Sequence, residues 1–147
     1  VASTGSTGWP YVQHRGGDAG FVTALDDRTI GWVERPGNRQ YISLGNLAAN
    51  DRVAIIMVDY PNRRRLKLYG HATYHATPNA ELIERLRGTG LRNDGAIVVE
   101  VVAVDWNCPK YIVPRFAAED MRPVIEARDK RIAELESELE RLGVVAS

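Results

Sequence analysis

The stretch from Val53 to Tyr74 limits the possible folds of this chain more than any other. Residues 53–58 are an unbroken apolar run, Tyr60-Pro61-Asn62 is a turn signal, and Leu66, Leu68, Gly70, Ala72 and Tyr74 then recur at every second position. An apolar run, a turn and a period-two return predict a β-hairpin with one buried face. Neighbouring segments extend the pattern. Residues 11–14, 21–25 and 29–33 are short runs set among Gly8-Trp9-Pro10, Gly16-Gly17 and Asp26-Asp27-Arg28, and they predict three strands of a meander. Residues 97–104 predict the last strong strand. The expected body is therefore a small antiparallel β-barrel of six or seven strands with α decoration.

Three segments break the strand pattern. After Pro36-Gly37-Asn38, the spacing of Tyr41, Leu44 and Leu47 or Ala48 predicts a short helix within 39–49. Thr77-Pro78 opens a second helix carrying Leu82, Ile83 and Leu86, which Gly88 and Gly90 end. The tail over 119–142 differs in kind: Ile125, Ile132, Leu135, Leu139 and Leu142 include the 3–4–3 spacing of a heptad seam among Glu136, Glu138, Glu140 and Arg141. So narrow a stripe suits a second helix better than a globular core, and it predicts dimerisation. Analytical ultracentrifugation at micromolar concentration checks this, with a dimer expected. The chain divides accordingly into a barrel domain, 1–116, and a C-terminal helix, 117–147.

Composition narrows the classes. Among 147 residues there is one cysteine, Cys108, which excludes an internal disulfide framework and fits a reducing cytoplasm. The longest apolar run, 96–104, is broken by Glu100 and falls far short of the ~20 residues of a membrane span. Lys plus Arg and Asp plus Glu both number 19, so net charge indicates neither nucleic acid nor an anionic membrane as partner. The tail holds eight acids against five bases between Ala117 and Leu142, which leaves a cationic excess on the body, and that excess is mostly arginine. Arginine's planar fork suits phosphate or carboxylate.

Several segments carry chemistry. In Tyr11-Val12-Gln13-His14-Arg15-Gly16-Gly17, three hydrogen-bonding side chains precede two glycines that permit close approach of a ligand. Two readings stand: a binding site, or a strand end whose alternation sends Gln13 and Arg15 to solvent and buries His14. In Pro36-Gly37-Asn38-Arg39-Gln40, a helix start with its unpaired N–H groups and the Arg39 guanidinium favours an anion, or else Asn38 is simply the N-cap. Arg63-Arg64-Arg65-Leu66-Lys67 lacks the interleaved aromatics of a nucleic-acid surface and reads as a solvated hairpin shoulder, from which Arg65 alone is a candidate to turn towards an anion. No His near Cys108 in sequence completes a nucleophilic set, and His71 and His75 in a strand are too weak a pair for a metal site. No Walker loop, dinucleotide fingerprint or nucleophile elbow is present.

Gly8-Trp9-Pro10-Tyr11-Val12-Gln13-His14-Arg15-Gly16-Gly17, Gly37-Asn38-Arg39-Gln40-Tyr41, Leu44-Gly45-Asn46-Leu47 and Asp105-Trp106-Asn107-Cys108-Pro109, taken in order, resemble the pyridoxamine 5′-phosphate oxidase-like family, in particular its uncharacterised flavin mononucleotide-binding members. The resemblance covers roughly 1–116. It implies a six-stranded split barrel that forms a homodimer and binds two flavins (FMN) at the subunit interface. Carried over by position, Gln13, His14 and Arg15 lie along the ribityl chain and ring. Asn38, Arg39 and Gln40 stand where the family binds the phosphate with Ser-Arg-Lys. Arg65 falls where the family has a glutamine near the ring, and Trp106 and Arg115 where a tryptophan and an arginine reach the flavin from the other subunit. The oxidases' substrate lysine is matched by Asp18, and their Arg-x-His pair is absent around Val113-Pro114-Arg115, which points away from pyridoxamine phosphate as substrate.

The expected function is thus that of a cytoplasmic, homodimeric flavin-dependent oxidoreductase acting on a small molecule, with neither nucleic acid nor membrane as partner and with no catalytic residue assigned. The alternatives are a non-catalytic flavin carrier or sensor, a haem-binding module, or a deazaflavin-dependent reductase on the same barrel.

Overall fold

A computed structural model describes residues 1–37, 40–89, 92, 95–106 and 110–143. Ten elements follow in order: β1 (Ala2–Thr4), β2 (Pro10–Val12), β3 (Thr23–Ala24), β4 (Thr29–Val33), α1 (Ile42–Ala49), β5 (Arg52–Asp59), β6 (Arg64–His75), α2 (Ala80–Arg85), β7 (Ala96–Trp106) and α3 (Ala118–Arg141). The chain falls into two compact units, one of residues 1–58 with 65–108 and one of residues 59–64 with 109–147.

In the first unit all seven strands join one open sheet in the order β2-β1-β5-β6-β7-β4-β3. The pairings resolved, from β1·β2 to β6·β7, are antiparallel. The long hairpin arms β5 and β6 lie side by side, as the 53–74 pattern predicts. Only half of the meander forms: β3 and β4 pair as an antiparallel hairpin, but β2 sits on the opposite edge of the sheet, because residues 14–22 belong to no strand. β1 was missed altogether: Ala-Ser-Thr has no apolar run, and this strand is held by pairing to β2 and β5 rather than by its own propensity.

The core lies where the period-two faces meet. Trp32, Val53, Ile55, Leu68, Ala72, Ile97 and Val99 form one buried cluster, and Val33, Leu86 and Ala96 form a second over which Leu82 and Ile83 of α2 pack. The apolar run of β5 is not buried on both sides, since Ile56 is 53% exposed. The register of β6 on β7 slips at Gly70: Tyr69 faces Ala103 while Gly70 faces Val101, so Val102 is the extra residue of a β-bulge. A Cβ at Gly70 would press into the Glu100 carbonyl oxygen and stand 2.7 Å from Val99 Cγ1. Gly70→Ala is therefore expected to cost about 1–3 kcal/mol, read as a lower urea midpoint at unchanged slope.

The helix starts differ from expectation. α1 begins at Ile42 behind Tyr41, a left-handed residue with φ 50°, rather than behind Asn38, which with Arg39 lies outside the described residues. α2 starts at Asn79, whose Oδ1 accepts from the Leu82 amide at 2.8 Å, and the left-handed residue that ends it is Arg87 rather than Gly88; Gly90 lies outside the described residues.

In the second unit, Asp59 Oδ2 accepts from Asn62 Nδ2 at 2.9 Å across the turn, Arg63 Nε donates to the Ile112 carbonyl at 3.2 Å, and the Arg115 guanidinium lies 5.2 Å from the Tyr60 ring centroid. The unit continues into α3, where the Ala117 amide donates to Asp120 Oδ2 at 3.3 Å at the N-terminus. Among the described residues no helix is long and apolar enough to cross a membrane.

Candidate functional site

The segment after β2 is placed by two backbone bonds. The Gln13 amide donates to the Val1 carbonyl at 2.9 Å, and the Val1 nitrogen donates to the Gln13 carbonyl at 3.0 Å. Beyond this anchor the chain leaves the sheet until β3. The burial alternates in the opposite phase to the strand-end reading: His14 is exposed, whereas Gln13 and Arg15 are half-buried. The two glycines serve the protein's own side chains, for a Cβ on Gly16 would stand 2.9 Å from His14 Cε1 and one on Gly17 2.7 Å from Phe21 Cβ.

Gln13, His14, Arg15 and Gln40 line one cavity of about 180 Å³, together with Trp32, Glu34, Arg35 and the start of α1 at Tyr41, Ser43 and Leu44. Gln13 and Arg15 are fixed from behind. Ser43, itself buried, donates through Oγ to Gln13 Oε1 at 2.7 Å, which leaves the Gln13 amide NH₂ as the donor still to be satisfied. Arg15 Nε donates to Glu34 Oε1 at 2.8 Å, and Trp32 Nε1 donates to the same oxygen at 2.6 Å. Both side chains of the ion pair are largely shielded, at 14% and 13% exposure. Glu34 thus orients Arg15 and neutralises much of its charge while leaving the rest of the guanidinium fork to donate.

Sequence reasoning missed Glu34. A lone acid after a strand looks solvated, and the available signal was its two-residue spacing from Trp32 on β4, which puts both on one face.

No side chain caps the α1 N-terminus among the described residues, so its first-turn amides and their partial positive charge border the cavity. A second, mostly apolar cavity of about 270 Å³ adjoins it, lined by Val1, Val12, Val22, Ile55, Ile56 and Met57 and sharing Gln13, His14, Arg15, Phe21 and Trp32 with the first. A polar chamber ending at a helix start, set against an apolar slot, suits a ligand with an anionic tail and a flat ring.

The other expected site residues lie elsewhere. Arg65 stands at the turn end of β6, and its Nε is buried without a hydrogen-bond partner among the described residues. Trp106 closes β7 opposite Leu66, 68% exposed. Arg115 belongs to the second unit, against Tyr60. Cys108 is outside the described residues.

At the rim, Arg35 donates to Asp18 Oδ2 at 2.8 Å, and this hydrogen bond and charge hold the Asp18 carboxyl below its ordinary range. A depressed folded value means that the pair's contribution is present at neutral pH and is lost as pH falls through that value. Arg35→Ala is expected to move the Asp18 titration upwards, followed by carboxyl NMR shifts.

No protein-family model matches this chain, and no curated protein does. Solved structures are more informative. A 1.60 Å structure described as a putative pyridoxamine 5′-phosphate oxidase from Lactobacillus delbrueckii matches with 20% identity over 71% of this chain and 79% of that one, at a TM-score of 0.52. This chain has the fold of pyridoxamine 5′-phosphate oxidase-like proteins. The same split barrel relates it to HupZ of Group A Streptococcus, with 15% identity, 78% and 86% coverage and a TM-score of 0.54. It is also similar to an FMN-binding protein from Syntrophomonas wolfei, with 10% identity, 73% and 74% coverage and a TM-score of 0.51.

Proposed function

We propose that this split barrel binds flavin mononucleotide and works as a homodimeric, flavin-dependent oxidoreductase on a small molecule. The observation that carries the reading is the paired cavity. Gln13, His14, Arg15 and Gln40 converge with the uncapped α1 start at a polar chamber, and an apolar slot continues from it. The residues present fit the group: Arg15 and the first amides of α1 offer donors at the chamber, and the slot beside it is lined mostly by apolar side chains.

In this reading Arg39, with Asn38, Gln40 and the first amides of α1, binds the phosphate. Gln13 donates its amide NH₂ towards the ribityl chain, and Arg15, held by Glu34, keeps a donor directed at the ring. When bound, the flavin supplies the redox chemistry. The protein's part is to orient the ring and to place donors where negative charge accumulates on it.

The polar chamber of about 180 Å³ falls below the ~300 Å³ at which ligand pockets begin and passes it only together with the adjoining slot of about 270 Å³. Val102, Val104 and Trp106 share one face of β7 and are 63%, 59% and 68% exposed. Such a row of large apolar side chains marks a protein contact. Association through it is the step by which Trp106 and Arg115 would reach a flavin, as the family resemblance implies. Asp18, already paired with Arg35, stands where the oxidases have their substrate lysine, and this change of charge disfavours pyridoxamine phosphate as the substrate.

The test is the visible spectrum of freshly purified protein followed by titration with flavin mononucleotide. Flavin bands saturating at one per subunit are expected, and Arg39→Ala should weaken binding by about 1.5–3 kcal/mol. Failure to bind added flavin overturns the assignment and turns the search to a deazaflavin or haem. With flavin bound, reduction by a nicotinamide donor followed by turnover separates an enzyme from a carrier.

A further inference from the structure

The helix α3 carries an apolar seam with no cover. None of its residues is buried, and Met121, Ile125, Ile132, Leu135, Leu139 and Leu142 are 37–71% exposed. In heptad letters, Ile125, Ile132 and Leu139 occupy a, and Met121, Leu135 and Leu142 occupy d, with Arg128 filling the remaining d position. We propose that α3 pairs with α3 of a second copy of this chain as a parallel, in-register, two-stranded coiled coil.

Three observations favour a second copy as the partner. Ile at two a positions with Leu at two d positions favours two strands over three or four in a parallel coil. The flanking charges then match: Arg131 at g faces the partner's Glu136 at e, twice by symmetry, and no like charges meet at the other g–e positions, which hold Val124 against the partner's Asp129 and Glu138 against the partner's Gly143. An antiparallel pairing that keeps Ile132 against the partner's Leu135 sets Asp129 against the partner's Glu136 on one flank and Arg131 beside the partner's Glu138 on the other, so the trapping experiment below decides the direction. Finally, most of the remaining acids, Glu119, Glu126, Glu134 and Glu140, fall at b and c, on the outer face.

Two features bear on the pairing. In register, Arg128 faces the partner's Arg128 across the seam with the partner's Asp129 beside each, so this one layer lowers stability and leaves the apolar layers on either side to hold the pair. Arg131 pairs within its own helix with Glu134 at 3.1 Å, but both side chains are at least half exposed. An exposed i,i+3 pair is weak and does not withhold Arg131 from a partner carboxylate.

The experiment is disulfide trapping in the full chain carrying Cys108→Ser. Leu135→Cys at d is expected to crosslink to its own copy under mild oxidation, whereas Lys130→Cys on the outer face is not. Equal rates for the two overturn the proposal, whether because the seam packs on its own chain, because it meets an unrelated helix, or because the pairing is antiparallel. With Leu135→Cys in place, Arg131→Glu should slow trapping roughly 5-fold, and adding Glu136→Arg should restore it. A charge swap that fails to restore the rate overturns the register. The result is independent of flavin binding, since a colourless protein that traps at position 135 keeps the coiled coil and loses only the cofactor.

Discussion

Replacing Glu34 with alanine is expected to destabilise the protein by about 2–4 kcal/mol, a fall in melting temperature of roughly 5–15 °C. The cause is local. Glu34 Oε1 accepts from Arg15 at 2.8 Å and from Trp32 at 2.6 Å, and truncation strands both donors in a site where Arg15 is only 14% exposed. Most of the loss is the cost of leaving one charge unpaired, so the double replacement Arg15→Met with Glu34→Leu should recover much of it. Thermal denaturation followed by circular dichroism decides the matter. A Glu34→Ala melt indistinguishable from that of the parent protein would mean that water, not protein, solvates Arg15.

A second substitution tests the shared site from a distance. Val104 lines neither of the two cavities described, yet Val104→Glu is expected to weaken flavin affinity at least ~100-fold. The reason is symmetry: in a two-fold interface the same carboxylate enters from both sides, next to Val102 and Trp106, with no basic partner provided for it. Isothermal titration with flavin mononucleotide measures the effect, and unchanged circular dichroism shows that the barrel persists. Flavin binding at the parent affinity would show that a single chain completes its own site.

The parts of this molecule that the sequence made legible are those with a strong period. Val53 to Tyr74, Thr29 to Val33 and the seam of α3 each repeat an apolar residue at the spacing of one face, and each became the expected element. The edges were less legible. Ala2–Thr4 carries no apolar pattern because its neighbours in the sheet, not its side chains, make it a strand. The order of β2 and β3 in the sheet depends on where residues 13–22 travel, and a run of Gly, Asp and Ala does not encode a direction. In the site, the cluster of Gln13, His14 and Arg15 was visible as a density of donors. Glu34 was not, since its role arises only when β4 brings it under Arg15.

The strand order has a kinetic side. The first 33 residues supply both outer margins of the sheet, with β2 and β1 at one side and β4 and β3 at the other. Local pairs can form as these segments leave the ribosome, but Ser3 meets Val53, and Val33 waits for Ala96. The halves of the early chain must stay apart until the middle strands arrive to separate them permanently. A nascent chain stalled before β7 therefore holds two half-sheets with open margins, the state in which this protein is most exposed to aggregation and most dependent on chaperones.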